Sequence, residues 1–235
     1  MNLSEEIKEK LIEKGASIVA YADLSAIPEQ NRKGYNYGII IGTALSPEII
    51  SGIDNGPTID YYKEYEQKND LLDSLSEYAS ELLINKGYRA FAKTKKAVLS
   101  DQNYCSELPH KTVATRAGIG WIGKCALLVT EKYGSAIRLS SVLTDAELET
   151  GTPINESRCG ECTVCKDICP GKAVLGSNWD LEKNRDDYYD AFGCRKTARE
   201  RTAKIGIEES LCGLCILKCP WTQKYLKNRG VIINE

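Results

Sequence analysis

No stretch of this sequence is apolar for long enough to cross a bilayer. The longest runs, around Gly38 to Gly42 and Ala126 to Val129, fall far short of the ~20 residues required. The N-terminus, Met-Asn-Leu-Ser-Glu-Glu-Ile-Lys-Glu-Lys, has neither the basic start nor the apolar stretch of a secretory signal, and its acidic residues argue against a transit peptide. A cytoplasmic protein with no membrane partner is expected. An excess of one charge is lacking too: the formal net charge is −2, so no global basic field recruits nucleic acid, although a local patch can still do so. Prolines are few, 7 in 235 residues. With 42% hydrophobic and 27% charged residues, the composition is that of a folded chain, not a disordered or collagen-like one. This length suits one large domain, or an ordinary domain with a small one appended.

Cysteine is scarce up to residue 157, where only Cys105 and Cys125 occur, and dense afterwards, with eight in the remaining 78 residues. In a chain without an export signal, cysteines at this density read as metal ligands or reactive thiols rather than disulfides, because cytosolic reductants keep thiols free. The asymmetry places a domain boundary at the polar connector Glu149-Thr-Gly-Thr-Pro-Ile-Asn-Glu-Ser157, where Gly151 and Pro153 act as breakers. Two domains are expected: residues 1–157, and residues 158–235.

Hydrophobic periodicity makes the first of these an α/β domain. Ser4 with Glu5 and Glu6 opens a helix whose apolar positions Ile7, Leu11 and Ile12 share a face and which ends at Gly15. Ala16 to Ala22 and Tyr37 to Ile41 read as buried strands bounded by Gly, Pro and Asn. From about Asp60 to Asn85 the residues Tyr61, Tyr65, Leu72, Leu75, Ala79, Leu82 and Leu83 recur at helical spacing, which predicts one long amphipathic helix with tyrosines packed in a core or set against a ligand. Further strands are expected at Ala90 to Ala92, Ala126 to Thr130 and Ala136 to Leu143, and a helix at Lys111 to Ala117. The fold class is a mixed sheet with flanking helices, joined to a small ferredoxin-like domain of short helical turns whose core is partly inorganic.

The run Cys159-Gly-Glu-Cys162-Thr-Val-Cys165-Lys-Asp-Ile-Cys169-Pro170 has the bacterial ferredoxin spacing of two, two and three residues, then proline. Cys212-Gly-Leu-Cys215-Ile-Leu-Lys-Cys219-Pro220 repeats its last three cysteines, with Cys194 standing upstream as the first. In two-cluster ferredoxins the fourth cysteine of each motif serves the other cluster. Cys159, Cys162, Cys165 and Cys219 are therefore expected on one 4Fe-4S cluster, and Cys169, Cys194, Cys212 and Cys215 on the second. Zinc also takes paired Cys-x-x-Cys units. It has no need of a Cys-Pro at each fourth position or of two interleaved quartets.

Gly118-Ile-Gly120-Trp-Ile-Gly123-Lys124-Cys125 matches a dinucleotide fingerprint and nearly matches a phosphate loop. Both require a strand before the glycines and a helix after them. The expected order here is the reverse, and Cys125 stands where a phosphate loop has Ser or Thr. What remains is a tight helix-to-strand turn, with Trp121 placed to stack on something flat.

The run Ala114-Thr-Arg-Ala-Gly-Ile-Gly-Trp-Ile-Gly-Lys124, then Gly134-Ser135, Leu143-Thr-Asp145 and the cysteine motifs ending in Cys219-Pro-Trp221, resembles the cobalamin-dependent epoxyqueuosine reductases and their short double-cluster relatives. The resemblance spans about residues 57 to 222. It implies an N-terminal domain related to that of the reductive dehalogenases, with cobalamin held beside one cluster. It further implies that Gly118, Gly120, Trp121, Gly123 and Lys124 approach the corrin, and that a nearby acid donates a proton. The acid's position falls near Tyr104, with Asp101 close by but displaced. The family's Asp-Tyr-His segment has no counterpart at Glu66 to Leu71, Cys125 replaces the usual Asn or His, and Ser141 replaces the usual Glu. The C-terminal helical repeats of some members are missing.

The resemblance therefore implies an oxidoreductase supplied by an electron donor such as a flavodoxin, ferredoxin or reductase, and acting on a transfer RNA or a small molecule. An electron carrier or corrinoid-reducing partner protein is the alternative. Arg195, Lys196, Arg199, Arg201 and Lys204 form a basic run suited to phosphates or to a solvated helix face. His110, the sole histidine, is a candidate proton donor or cobalt ligand, or a surface or capping residue. Cys105 reads as a redox thiol or a small buried hydrophobe.

Overall fold

The computed structural model describes residues 2–98 and 101–231. Its chain divides into two compact units, neither continuous in sequence. One comprises residues 1–44, 67–120 and 138–154, and the other residues 45–66, 121–137 and 155–235. The chain thus crosses between units five times, and only the last crossing, after Ile154, falls in the polar connector.

The first unit is built on a four-stranded sheet in the order β1 (Ile18–Asp23), β2 (Tyr37–Ala44), β6 (Ile137–Thr144), β3 (Ala90–Ala92). β1 and β2 are antiparallel with Val19 opposite Ile41 and Tyr21 opposite Ile39, which puts these four side chains on one face. There they meet Ile7 and Leu11 of helix α1 (Leu3–Glu13) and Leu72, Leu75, Ala79 and Leu83 of helix α3 (Ile59–Asn85) in a single core. The opposite face is covered by helix α4 (His110–Arg116), whose Val113 lies so close to Gly38 that an added Cβ would sit 2.9 Å from its Cγ1. Helices on both faces of a sheet are the architecture expected from the periodicity.

The start of α1 differs in detail. Asn2, not Ser4, caps the helix, accepting from Glu5 N at 2.8 Å while the Glu5 carboxylate accepts from Asn2 N at 3.0 Å. Ser4 lies inside the helix with its hydroxyl engaged by Glu149 N at 2.9 Å.

The second unit contains helix α2 (Pro47–Ser51), the start of α3, and a hairpin of β4 (Trp121–Ile122) and β5 (Leu128–Val129) that pairs Trp121 with Val129. It also contains α5 (Val164–Asp167), α6 (Ala191–Ala203), α7 (Leu214–Leu217) and α8 (Pro220–Asn228). Such short elements cannot enclose a large apolar core. Gly118 and Gly120 follow helix α4 and precede β4, and Gly123 follows β4, so the order demanded by a nucleotide loop is reversed, as expected. The strand expected at Ala126 to Thr130 shortens to two residues because Ala126 adopts φ 60° in the hairpin tip. Among the described residues no helix is long and apolar enough to cross a membrane.

Candidate functional site

The β4–β5 tip spans Gly123 to Leu127. Gly123 N donates to Leu127 O and Ala126 N to Gly123 O, both at 2.8 Å, and Ala126 holds the left-handed conformation that costs an L-residue roughly 1–2 kcal/mol. Strain of this kind persists where surrounding structure over-determines it. Here it presents Gly123, Lys124 and Cys125 to a cavity of about 100 Å³, whose walls also carry Cys159, Cys162, Cys165, Cys215, Cys219 and Trp221. A single water needs only about 10–15 Å³, so this space suits a polyatomic occupant. Among the described residues no three His, Cys, Asp or Glu side chains gather as one metal ion would require. The thiols instead surround a volume, which is how cubane ligands are disposed.

The electrostatic neighbours of the cysteines separate them further. Burial raises the Cys219 thiol, with Cys159 and Cys165 adding to the shift. Burial likewise raises Cys194, against a lowering hydrogen bond from Tyr189, with Cys169 and Cys212 as the thiols that reinforce it. Cys219 thus sits with members of the first motif, and Cys169 with members of the second.

Lys124 is 4% exposed, and its ammonium donates to Cys162 O at 3.0 Å, which brings a cation to the cavity. Hydrogen bonding to Cys165 lowers the Cys125 thiol, but the hydrogen bond to Cys215 and full burial outweigh it and hold the thiol well above the ordinary range.

Trp121 is wholly enclosed. It meets Trp221 edge to face at 5.1 Å, and the Arg158 guanidinium lies 5.7 Å from its ring, so its face is not free to stack on a cofactor. Its indole N–H has no acceptor among the described residues. A Cβ on Gly118 would strike the Thr152 carbonyl oxygen, and Gly120 is buried. The turn implied by the resemblance to face a corrin is largely spent on protein packing and on the cysteine cavity.

The first unit holds a larger cavity, about 510 Å³, with Lys33, Phe91, Lys93, Asp101, Cys105 and Glu107 among its walls. Asp101 is exposed, and its Oδ1 accepts from Asn103 N and Cys105 N, both at 2.8 Å, in an Asx-type turn. Tyr104 follows at φ 58° and is 43% exposed, outside the lining. Cys105 is exposed, which corrects its reading as a buried hydrophobe. Lys93 was not singled out from sequence. It is 6% exposed, its ammonium donates to Leu108 O, and burial first, then Lys33, brings its pKa down to about 8. The available signal was a lysine immediately after the short apolar strand β3.

His110 is neither a surface residue nor a helix cap. Its Nδ1 lies 2.9 Å from the Ser141 hydroxyl, at the position where the resembling family has Glu. Burial, then Lys93 and Arg138, lowers its pKa to about 3, so it is neutral at physiological pH and is not a cationic acid. Because the unfolded chain binds this proton more readily, stability is complete above about pH 6.5 and falls as the pH drops toward 3. Anaerobic urea unfolding should show a loss of about 2 kcal/mol between pH 7.5 and pH 5, and His110→Asn should flatten most of that slope. Equal slopes in both proteins would assign the pH response elsewhere.

In the basic run, Arg201 turns inward and donates to Asn55 O at 2.9 Å, whereas Lys196, Arg199 and Lys204 are exposed. Tyr61 is a core residue, 3% exposed, with an added Cβ on Gly213 falling 3.1 Å from its ring.

Residues 158–222 match the family described as the 4Fe-4S double cluster binding domain. Epoxyqueuosine reductase of Lactococcus garvieae is 31% identical over 146 residues, covering 60% of this chain and 41% of the relative. That of Bacillus anthracis is 35% identical over 126 residues, covering 53% and 31%. This chain therefore spans well under half the length of these curated relatives. Among solved structures, a catabolic reductive dehalogenase in complex with 3-bromo-4-hydroxybenzoic acid aligns with TM-score 0.71 at 19% identity, covering 93% of this chain and 31% of that one. Epoxyqueuosine reductase with a modified tRNA-Tyr stem loop aligns with TM-score 0.62 at 20% identity, covering 94% and 65%. The chain is thus similar in sequence to the epoxyqueuosine reductases, shares a fold with them and with the reductive dehalogenases, and carries a double 4Fe-4S cluster segment.

Proposed function

We propose that this protein is an iron-sulfur oxidoreductase resembling epoxyqueuosine reductase, in which two 4Fe-4S clusters feed electrons to a bound corrinoid for reduction of a substrate. The observation that carries the reading is the cavity ringed by cysteines from both motifs and by the tip of the β4–β5 hairpin. Cys159, Cys162, Cys165 and Cys219 hold one cluster and Cys169, Cys194, Cys212 and Cys215 the other. The Lys124 ammonium offsets the negative charge of the thiolate-ligated core. Functionally, the cluster part is residues 158–235 and the corrinoid part residues 1–157, with the hairpin of residues 121–129 contributed by the latter.

The donor set fits the clusters directly. For the corrinoid, Gly118 and Ile119, which are only partly buried, are the portion of the turn able to touch it. When bound, a corrinoid supplies a cobalt centre that is strongly nucleophilic once reduced. Asp101, on the wall of the larger cavity, is placed to hold a proton for the substrate, with Tyr104 beside it in the same loop. A Bacillus subtilis epoxyqueuosine reductase structure, described with its catalytic aspartate loop swung out of the active site, supports a loop-borne aspartate in this role.

A flavodoxin, ferredoxin or reductase is the electron donor, in a reducing compartment such as the cytoplasm. A transfer-RNA substrate would meet Lys196, Arg199 and Lys204, and its binding would weaken steeply with salt.

Anaerobic reconstitution should yield about eight irons per chain, and titration of that protein with hydroxocobalamin should give a saturable change in corrinoid absorbance. Full iron loading without corrinoid retention would overturn the enzyme reading in favour of an electron carrier.

A further inference from the structure

The larger cavity of the first unit has a charge in its wall that the fold leaves unbalanced. Lys93 stands one residue beyond β3, and its main chain is fastened to β6: its N–H donates to Ser141 O at 2.9 Å, and its carbonyl accepts from the Ser140 hydroxyl at 3.2 Å. A side chain rooted in a sheet in this way starts from a fixed position. Lys93 is 6% exposed, yet among the described residues its ammonium has a single acceptor, Leu108 O, which leaves two of its three N–H groups without one. Among the same residues no carboxylate pairs with it. Glu107, which acts on it only from a distance, is held by Lys33 at 3.2 Å, and the Asp101 Oδ1 is taken by two backbone N–H groups. The neighbouring His110 is neutral and supplies no negative charge.

A buried cation is costly unless it is paired. The space for a partner is present. At about 510 Å³ the cavity falls in the range of about 300–1,000 Å³ typical of small-molecule sites, and its walls belong entirely to the first unit. Phe91, Leu108 and Leu143 give those walls an apolar part, while the exposed Lys33–Glu107 pair satisfies itself and leaves the interior position to Lys93. We propose that this cavity takes a small organic acid, its carboxylate on the Lys93 ammonium and a flat apolar body against Phe91, Leu108 and Leu143. The two N–H groups then gain charge-assisted acceptors, and the ligand supplies the counter-charge that the chain does not. That the acid is the substrate to be reduced rests on the oxidoreductase reading. Its binding does not.

The test titrates anaerobically reconstituted full-length protein at about pH 7, where the Lys93 ammonium is mostly protonated, with benzoate, benzamide and acetate, followed by calorimetry and by the thermal midpoint. Benzoate should saturate. Benzamide, which has the ring without the charge, and acetate, which has the charge without the ring, should each bind at least about tenfold more weakly. Lys93→Met should bring benzoate down to the level of benzamide, whereas Lys93→Arg, which keeps a cation, should still prefer benzoate. Iron content and circular dichroism show that the variants are folded, and the comparison of the three probes on wild-type protein stands whether or not Lys93→Met folds.

Benzoate bound no more tightly than benzamide or acetate would overturn the proposal, as would equal benzoate binding by wild type and folded Lys93→Met. Iron content and corrinoid retention in the same preparation report on the oxidoreductase reading separately. Their failure with benzoate still held by Lys93 would overturn that reading and make the acid a ligand only, whereas their success without benzoate binding would overturn the present inference alone.

Discussion

Cys219→Ser is expected to remove one whole cluster, leaving about four of about eight irons, and the cluster removed is the one held by the first cysteine motif, more than fifty residues upstream. The reason is spatial. Cys219 follows Cys212 and Cys215 in sequence, yet its thiol has Cys159 and Cys165 as neighbours, while Cys169 and Cys212 are the neighbours of Cys194. Ligands that act as one unit are non-additive when removed together. Cys162→Ser combined with Cys219→Ser should therefore leave about four irons, as each does alone, whereas Cys212→Ser combined with Cys219→Ser should leave almost none. If the latter pair retained half its iron, the quartets would be uncrossed and the assignment wrong.

The spacing alone leads to the crossed assignment, because thiolates must converge on fixed corners and the Cys-Pro endings mark the ligands expected to leave their own loops. The long helix α3 was legible for a different reason. Over 27 residues the apolar period repeats often enough to prevail over its many charges. The strands of the main sheet, buried and β-branched, stood out between Gly, Pro and Asn punctuation.

Short elements left no such signal. β4 and β5 contribute two paired residues each, too few to establish an alternation, so the hairpin was read as a bare turn followed by a strand. The capping choice between Asn2 and Ser4 depended on Glu149, which takes the Ser4 hydroxyl from across the fold. His110 was misread because its environment is made by Ser141, Lys93 and Arg138, none of them local. Cys125 shows the same limit at the candidate site, since its partners lie 40 and 90 positions away. Trp121 appeared free to stack only because the second ring against it, Trp221, is a hundred residues distant.

Gly134→Ala should be among the most damaging changes outside the ligands, costing about 3 kcal/mol or more and weakening cluster retention. Gly134 closes the turn after β5, exchanging two 2.9 Å backbone hydrogen bonds with Thr130 at φ 56°. A Cβ there would overlap the backbone nitrogen of Thr222, a fully buried residue in the first turn of α8, whose hydroxyl also accepts from Ser135 N at 3.1 Å. Displacing Thr222 displaces Cys219, which caps the same helix three residues earlier. Gly160 separates the two contributions. It adopts φ 53° with nothing within 4 Å of an added Cβ, so Gly160→Ala carries the backbone strain without the collision and should cost only about 1–2 kcal/mol. Anaerobic urea unfolding with iron release as a second readout measures both variants. Equal effects would mean that the seat of α8 against the turn does not govern the hold on Cys219.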